Sequence, residues 1–340
     1  MDVIFRELTE NDEKDKLASY AQLSKETVGR KKHEEKCNIR TCYQKDRDKI
    51  IHSESFRKLK GKTQVFIAKD DFFRTRLTHT LEVSQISRTI ARALKLNEDL
   101  VEAIALGHDL GHTCFGHSGE QVLNQLTGCF RHNEQSLRVV DQLERKGEGL
   151  NLTYEVRDGI LNHTRSGIPT TLEGKLVKIA DRLTYLCHDI QDSISAGILK
   201  EKDIPTNIIE TLGNSHSKRV NKFVNDIVNE TINKINLGYE VDIYQSKYIE
   251  KITLQLREFM FKEVYNSEFC LKEKEKGTYI VKFLFNYFVD NIEKIPDRYK
   301  VQQNNCNELV VDYIATLTDN DAIRLYQNLI IPYPESKRSI

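Results

Sequence analysis

Residues 107 to 120 read Gly-His-Asp-Leu-Gly-His-Thr-Cys-Phe-Gly-His-Ser-Gly-Glu, so three histidines, an aspartate and a glutamate fall within fourteen positions. Imidazoles and carboxylates at that density suit metal ligation and proton transfer, and a packed core has no use for them. His108 and Asp109 are adjacent; on a helix they diverge by about 100° and can still reach one ion beyond its end. Glu120 stands three residues after His117. That spacing lets a carboxylate orient one imidazole nitrogen while the other faces a substrate, the pairing general acid–base chemistry uses. His112, four residues after His108, is read as a phosphate contact, with a further metal ligand as the alternative.

The surrounding elements must carry these groups inward. Leu100 to Leu106 is apolar nearly all round a helix, so it predicts a buried helix whose last turn delivers His108 and Asp109 into the interior. A carboxylate there needs a cation. His79 shares a stripe with Val83, Ile86 and Ile90 and so points into the core. Asp181 follows Lys175 to Ala180 on a helix continuing through Leu183, Leu186 and Ile190; Asp181, Tyr185 and His188 fall opposite that stripe, toward water or a polar cavity. Together His79, His108, Asp109 and Asp181 offer two nitrogen and two oxygen ligands to one divalent ion of the Mn, Fe, Mg, Co or Zn class. Positions left open for water and a substrate oxygen meet the requirement of metal-assisted hydrolysis. Gly111 to Gly116 should form a loop, with a new helix from near Ser118 through Val122, Leu123 and Leu126 whose N-terminus favours an anion.

Composition frames the fold. The 340-residue chain is 39% hydrophobic and 30% charged with five prolines, the balance of a helix-rich soluble protein. Basic and acidic residues, 51 of each, cancel, so no global field draws in nucleic acid. Seven cysteines without a C-x-x-C pair argue for a reducing compartment and against a disulfide framework. No apolar signal-peptide core and no run of the ~20 apolar residues of a membrane span is present, so the cytoplasm is the expected location. An all-α architecture is expected: a charged N-terminal arm over 1–36, a catalytic core over 37–200, and a helical C-terminal region over 201–340 packed on that core. The arm is read as a solvated face.

From Arg40 to Arg76, eleven Lys and Arg outnumber five acids, which beside a metal site suggests a polyanionic substrate. Arg76, three residues before His79, could grip a metal-held phosphate. Lys58, Lys60 and Lys62 are read as a solvated face. His132 marks a loop-to-helix junction, and His163 is left open between a structural and a pocket role.

His79, then His108-Asp109, then Asp181 resembles the H…HD…D signature of the HD phosphohydrolase superfamily. The motifs Arg47-Asp48, Phe56 to Leu59, Lys62 to Phe66, Arg76 to His79, Arg131 to Ser136 and Gly149 to Thr153 narrow the resemblance to the deoxynucleoside triphosphate triphosphohydrolases, dGTPase being the best-known type. The resemblance runs from about Arg40 to Gly197. It implies an HD-domain helical bundle with additional C-terminal helices, and hydrolysis of a dNTP at the α-phosphorus to deoxynucleoside and triphosphate. It places His117 and Glu120 in proton transfer, Arg76, His112 and His132 at the triphosphate, and Gln64 and Asp189 at the deoxyribose 3′-hydroxyl. Tyr185 would stack near the sugar, where a 2′-hydroxyl would clash. It further implies one divalent ion, with Mg accompanying the nucleotide, and a homo-oligomer, tetramer or hexamer, with single-stranded DNA or a nucleotide as potential effector. Two alternatives stay open: another HD hydrolase such as a 5′-deoxynucleotidase or ppGpp hydrolase, and a non-catalytic dNTP or single-stranded DNA binding module.

Overall fold

In the computed structural model, the described residues are 4–66, 73–164, 166–300 and 306–332; Lys69, counted in the basic segment, lies outside them. Sixteen α-helices are described, beside short 3₁₀ and π-helical turns. Those before the central histidines are α1 (Phe5–Lys16), α2 (Cys42–Ile51), α3 (Glu54–Lys58), α4 (Arg76–Ala93) and α5 (Glu98–Gly107). The middle of the chain forms α6 (Gly116–Thr127), α7 (His132–Arg138), α8 (Glu144–Gly147), α9 (Tyr154–Asn162) and α10 (Leu172–Ser195). There follow α11 (Thr206–Leu212), α12 (His216–Asn236), α13 (Lys247–Met260), α14 (Glu268–Asp290), α15 (Cys306–Ala315) and α16 (Asp319–Ile330). Among the described residues there is no β-strand, so the fold is all-α as expected, and no helix is long and apolar enough to cross a membrane.

α5 is the hub. Asn97 caps it by accepting from the backbone of Asp99 and Leu100, and Glu98 and Asp99 complement the positive end of its dipole. Its residues Leu100 to Gly107 are buried, Glu102 excepted, against α2, α4, α9 and α10. This all-round burial is what an unbroken apolar run requires. α4 and α10 pack on each other and on α5, so the three helices that bear the predicted ligands share one core. A second apolar cluster joins Phe115, Val122 and Leu123 to Val281, Leu284 and Phe288 of α14 and to Val310 and Ile314 of α15. The loop after α5 is therefore gripped from two sides.

That loop turns at Phe115 and Gly116, with φ of 59° and 55°, and drops directly into α6, two residues earlier than the expected start at Ser118. Gly111 is required where the loop passes α7: a Cβ there would stand 2.1 Å from the Ser136 amide nitrogen.

Two readings are corrected. Lys62 is not on a solvated face; it is 2% exposed, because α15 and α16 close over it. The N-terminal segment is also more than a solvated arm. Arg30 pairs with the buried Asp46 and donates to the Asn151 carbonyl at 2.6 Å, while Glu13 accepts from the Ser24 amide and hydroxyl at 2.7 and 2.6 Å. Asn151 lies 121 residues beyond Arg30, and the local charge pattern does not contain it.

Candidate active site

α4 carries His79 on its buried face, α5 ends on His108 and Asp109, and α10 brings Asp181 across from the opposite side. His79 Nε2 lies 3.0 Å from Asp181 Oδ1 and 3.9 Å from Asp109 Oδ2. His108 Nε2 lies 3.5 Å from Asp109 Oδ1 and 3.9 Å from Asp181 Oδ1. Two ligands at about 2.1 Å from one ion lie within about 4.2 Å of each other, so His79, His108 and Asp181 fit a shared ion, while Asp109 faces His79 and His108 with different oxygens, the one toward His79 also held by Arg76. The tautomers agree. His108 Nδ1 donates to the Ala105 carbonyl at 2.6 Å, which leaves the lone pair on Nε2, buried and without a hydrogen-bond partner. Burial pushes Asp109 and Asp181 upward, yet the surrounding His108, His79 and, for Asp109, Arg76 hold both well below the usual carboxylate range. The donor set therefore suits a divalent cation.

Behind the ligands stands a second layer. His79 Nδ1 is 3.3 Å from His188 Nε2, and His188 Nδ1 is 2.7 Å from Glu82 Oε2. Burial lowers His188 to about 4, so its ring is neutral and can accept from His79. Arg74 in turn donates to Glu82 at 2.9 Å. This chain fixes the orientation of a ligand imidazole from outside.

Toward the opening lies a second group of histidines. Glu120 Oε2 is 3.1 Å from His117 Nδ1, and its Oε1 is 2.8 Å from His132 Nδ1 and 2.9 Å from the His132 amide nitrogen. Burial would raise the Glu120 carboxyl, but the bonds from His117 and His132 hold it well below the usual range. His163 Nδ1 donates to the Ile160 carbonyl at 2.7 Å, and its Nε2 is 3.2 Å from His132 Nε2. His132 thus bridges Glu120 and His163 through its two ring nitrogens. His112 stacks on His132 with ring centroids 4.1 Å apart; neither of its nitrogens has a hydrogen-bond partner, and burial holds its pKa well below the ordinary value.

These groups line one cavity of about 770 Å³, within the range for nucleotide-sized ligands. Of the residues expected at substrate, Gln64, Arg76, His112, His132, Tyr185 and Asp189 all line it, as do His117 and Glu120. Arg76 is placed differently from a free phosphate grip: its Nη1 donates to Asp109 Oδ2 at 2.6 Å and its Nε to the Thr63 carbonyl at 3.2 Å, leaving Nη2 buried and unpartnered. Asp189 accepts from the Tyr265 hydroxyl at 2.5 Å, and burial raises it to about 7.

His163, left open between a structural and a pocket role, lines the pocket, and three residues that escaped the sequence reading, Arg257, Phe261 and Tyr265, build a wall from the C-terminal region. The Arg257 guanidinium sits 4.8 Å from the Phe261 ring centre, and Phe261 meets Tyr265 edge to face at 5.1 Å. The available signal was their four-residue spacing, which runs from α13 into the π-helical turn over Phe261–Tyr265 that follows it. Nothing local distinguishes it from a core stripe.

Comparison with known proteins agrees with this geometry. The HD domain family matches residues 76–186 and the phosphohydrolase-associated domain matches residues 243–328. A deoxyguanosinetriphosphate triphosphohydrolase-like protein of Caldanaerobacter subterraneus is 50% identical over 339 residues, 98% of each chain. One from Clostridium perfringens is 49% identical over 335 residues, covering 96% of this chain and 98% of its own. In fold, the chain is similar to a phosphohydrolase from Bacteroides thetaiotaomicron, with a TM-score of 0.50 at 18% identity over 83% of this chain and 68% of that one. With both domains in place around the histidine-lined cavity, the chain belongs to the HD-domain phosphohydrolases, among the deoxyguanosinetriphosphate triphosphohydrolase-like proteins.

Proposed function

We propose that the chain hydrolyses deoxynucleoside triphosphates, of the dGTP type, at the α-phosphorus and releases deoxynucleoside and inorganic triphosphate. One observation carries this reading: His79, Asp109 and Asp181 line the same cavity as a Glu120-paired imidazole, with both ring nitrogens of His112 and Nη2 of Arg76 buried there without hydrogen-bond partners. Such donors await an anion, since leaving them unpaired costs roughly 1–3 kcal/mol each.

His79, His108, Asp109 and Asp181 would hold the ion. When bound, a divalent ion supplies Lewis acidity toward an α-phosphoryl oxygen and toward water. The neutral His112 ring and Arg76 Nη2 donate to phosphate oxygens, and the Arg76 guanidinium offsets part of the triphosphate charge. His117 exchanges the proton at the attacking water or the departing 5′-oxygen, and Glu120 fixes the tautomer of its ring. Gln64 and Asp189 hold the 3′-hydroxyl, with Tyr185 against the sugar. Excluding a 2′-hydroxyl there would confer selectivity for deoxyribose.

The test is anion-exchange chromatography of products after incubation with each of the four dNTPs, and with GTP, in Mn or Mg. Deoxynucleoside with intact triphosphate supports the reading. Release of monophosphate or pyrophosphate would move the chain to another HD chemistry, and protection of a bound nucleotide without turnover would make it a binding module.

A further inference from the structure

Lys62 is a lysine in an unusual place. It is 2% exposed, and among the described residues no carboxylate oxygen lies within 4.0 Å of its ammonium. Its Nζ instead donates to two backbone carbonyls, those of His112 in the loop after α5 and of Ala315 at the end of α15, the latter at 2.8 Å. Burying an ammonium without a counter-ion is costly. A methionine of similar length would fill the space without that cost, but it would not tie two carbonyls together.

Asp319, the first residue of α16, works on the same junction from the other side. Its Oδ2 accepts from the amide, at 3.0 Å, and from the hydroxyl of Thr63; its Oδ1 accepts from the Phe115 amide at 2.8 Å. Phe115 is where the backbone turns left-handed into α6, one residue before Gly116 and two before His117. Thr63 and Lys62 also hold Arg76, whose Nε and backbone amide donate to their carbonyls at 3.2 and 3.1 Å. Gly277 of α14 admits the Phe115 ring so closely that a Cβ would stand 2.9 Å from it. Neither Lys62 nor Asp319 lines the cavity.

We propose that Lys62 and Asp319 form a clasp through which the C-terminal helices position the loop bearing His112 and His117, so that two residues remote from substrate set the turnover rate. Both are positioning residues: they hold the loop backbone at its two ends and leave proton transfer and phosphate contact to the side chains it carries. The effect on turnover rests on the function proposed above, whereas the effect on the loop does not.

The test uses the full chain with Lys62→Met and, separately, Asp319→Asn. Asp319→Asn leaves Lys62 intact and keeps the fold measurable if Lys62→Met does not accumulate. Hydrogen–deuterium exchange should show amides of residues 111–118 exchanging at least tenfold faster in either variant, with α4 and α10 unchanged and one metal ion still bound per chain. On whichever nucleotide the unaltered protein turns over, kcat should fall tenfold or more while KM stays within threefold. Unchanged exchange over 111–118 in a folded variant overturns the clasp, whatever the nucleotide assays return. Faster loop exchange with kcat within twofold of the unaltered protein overturns its role in turnover. Failure of the unaltered protein to turn over any nucleotide counts against the proposed function alone, and the exchange data still decide the clasp.

Discussion

Glu82 and Glu120 each stand beside imidazole nitrogens, Glu82 at 2.7 Å from His188 and Glu120 at 2.8 and 3.1 Å from His132 and His117. Their settings differ. Glu82 backs onto His79 through a fully buried His188, on two long helices that share the main core. Glu120 sits on α6, just after the loop, and one of its partners, His117, has a side chain 74% exposed at the cavity mouth. The same pair of residue types is thus used twice. Where the imidazole is sealed, the carboxylate can only orient it; where the imidazole reaches the opening, it can also exchange a proton with what enters.

Four substitutions sharpen or break that contrast. The largest effect is expected from Asp181→Ala, which removes a ligand common to His79 and His108: the ion should be lost and turnover should fall at least roughly a thousandfold, about 4 kcal/mol of barrier. Full activity in that variant would sink the ligand assignment. Glu120→Gln should lower kcat by about 10²–10⁴-fold with metal stoichiometry unchanged, measured by steady-state kinetics beside elemental analysis; loss of the ion as well would erase the distinction between the two groups. Glu82→Gln should behave in the opposite sense, weakening metal affinity by about 10–100-fold in a chelator competition while kcat at saturating metal stays within a few-fold. Affinity equal to that of the unaltered protein would show that the outer layer does not act on His79.

The smallest effect lies outside both groups and serves as a control. Against the upward push of burial, Lys45, Lys49 and Arg30 lower the Glu34 carboxyl to about 2. A depressed carboxylate contributes stability that is present above its unfolded pKa, near 4.5, and is lost as pH falls through the folded value. Glu34→Gln should therefore cost about 1 kcal/mol at pH 7, the pair being partly solvent-screened, and the difference should vanish between pH 4.5 and 2 in denaturant melts. A difference that persists at pH 2 would locate the stabilisation elsewhere.

The inward direction of His79, His108 and Asp109 was legible in the sequence because each lies on, or directly after, a helix whose apolar residues announce its buried face. His79 shares the stripe of Val83, Ile86 and Ile90, and Leu100 to Leu106 can only be buried, so His108 and Asp109 follow it inward. Lys62 was misread because its burial is decided by Ala315, more than 250 residues on. His188 could be read only as facing water or a polar cavity, since its partner Glu82 lies on another helix. Arg257, Phe261 and Tyr265 stand on a stripe that could equally face a core, and only the closure of α13 and α14 over the cavity makes them a wall. Local periodicity reports the direction of a side chain; it does not report what the rest of the chain brings to meet it.

The contact between Asp319 and Phe115 also has a temporal meaning. On a ribosome the four ligands are complete once Asp181 has been made, but Thr63 and Phe115 must wait for Asp319, about 140 residues later, which at 5–20 residues per second is roughly 7–28 s. During that interval the nascent chain would carry the four candidate ligands and an unsecured loop. If the clasp acts as proposed, a polypeptide cut short before Asp319 would lack the contact that joins Thr63 to Phe115, and the loop would be secured only late in biosynthesis.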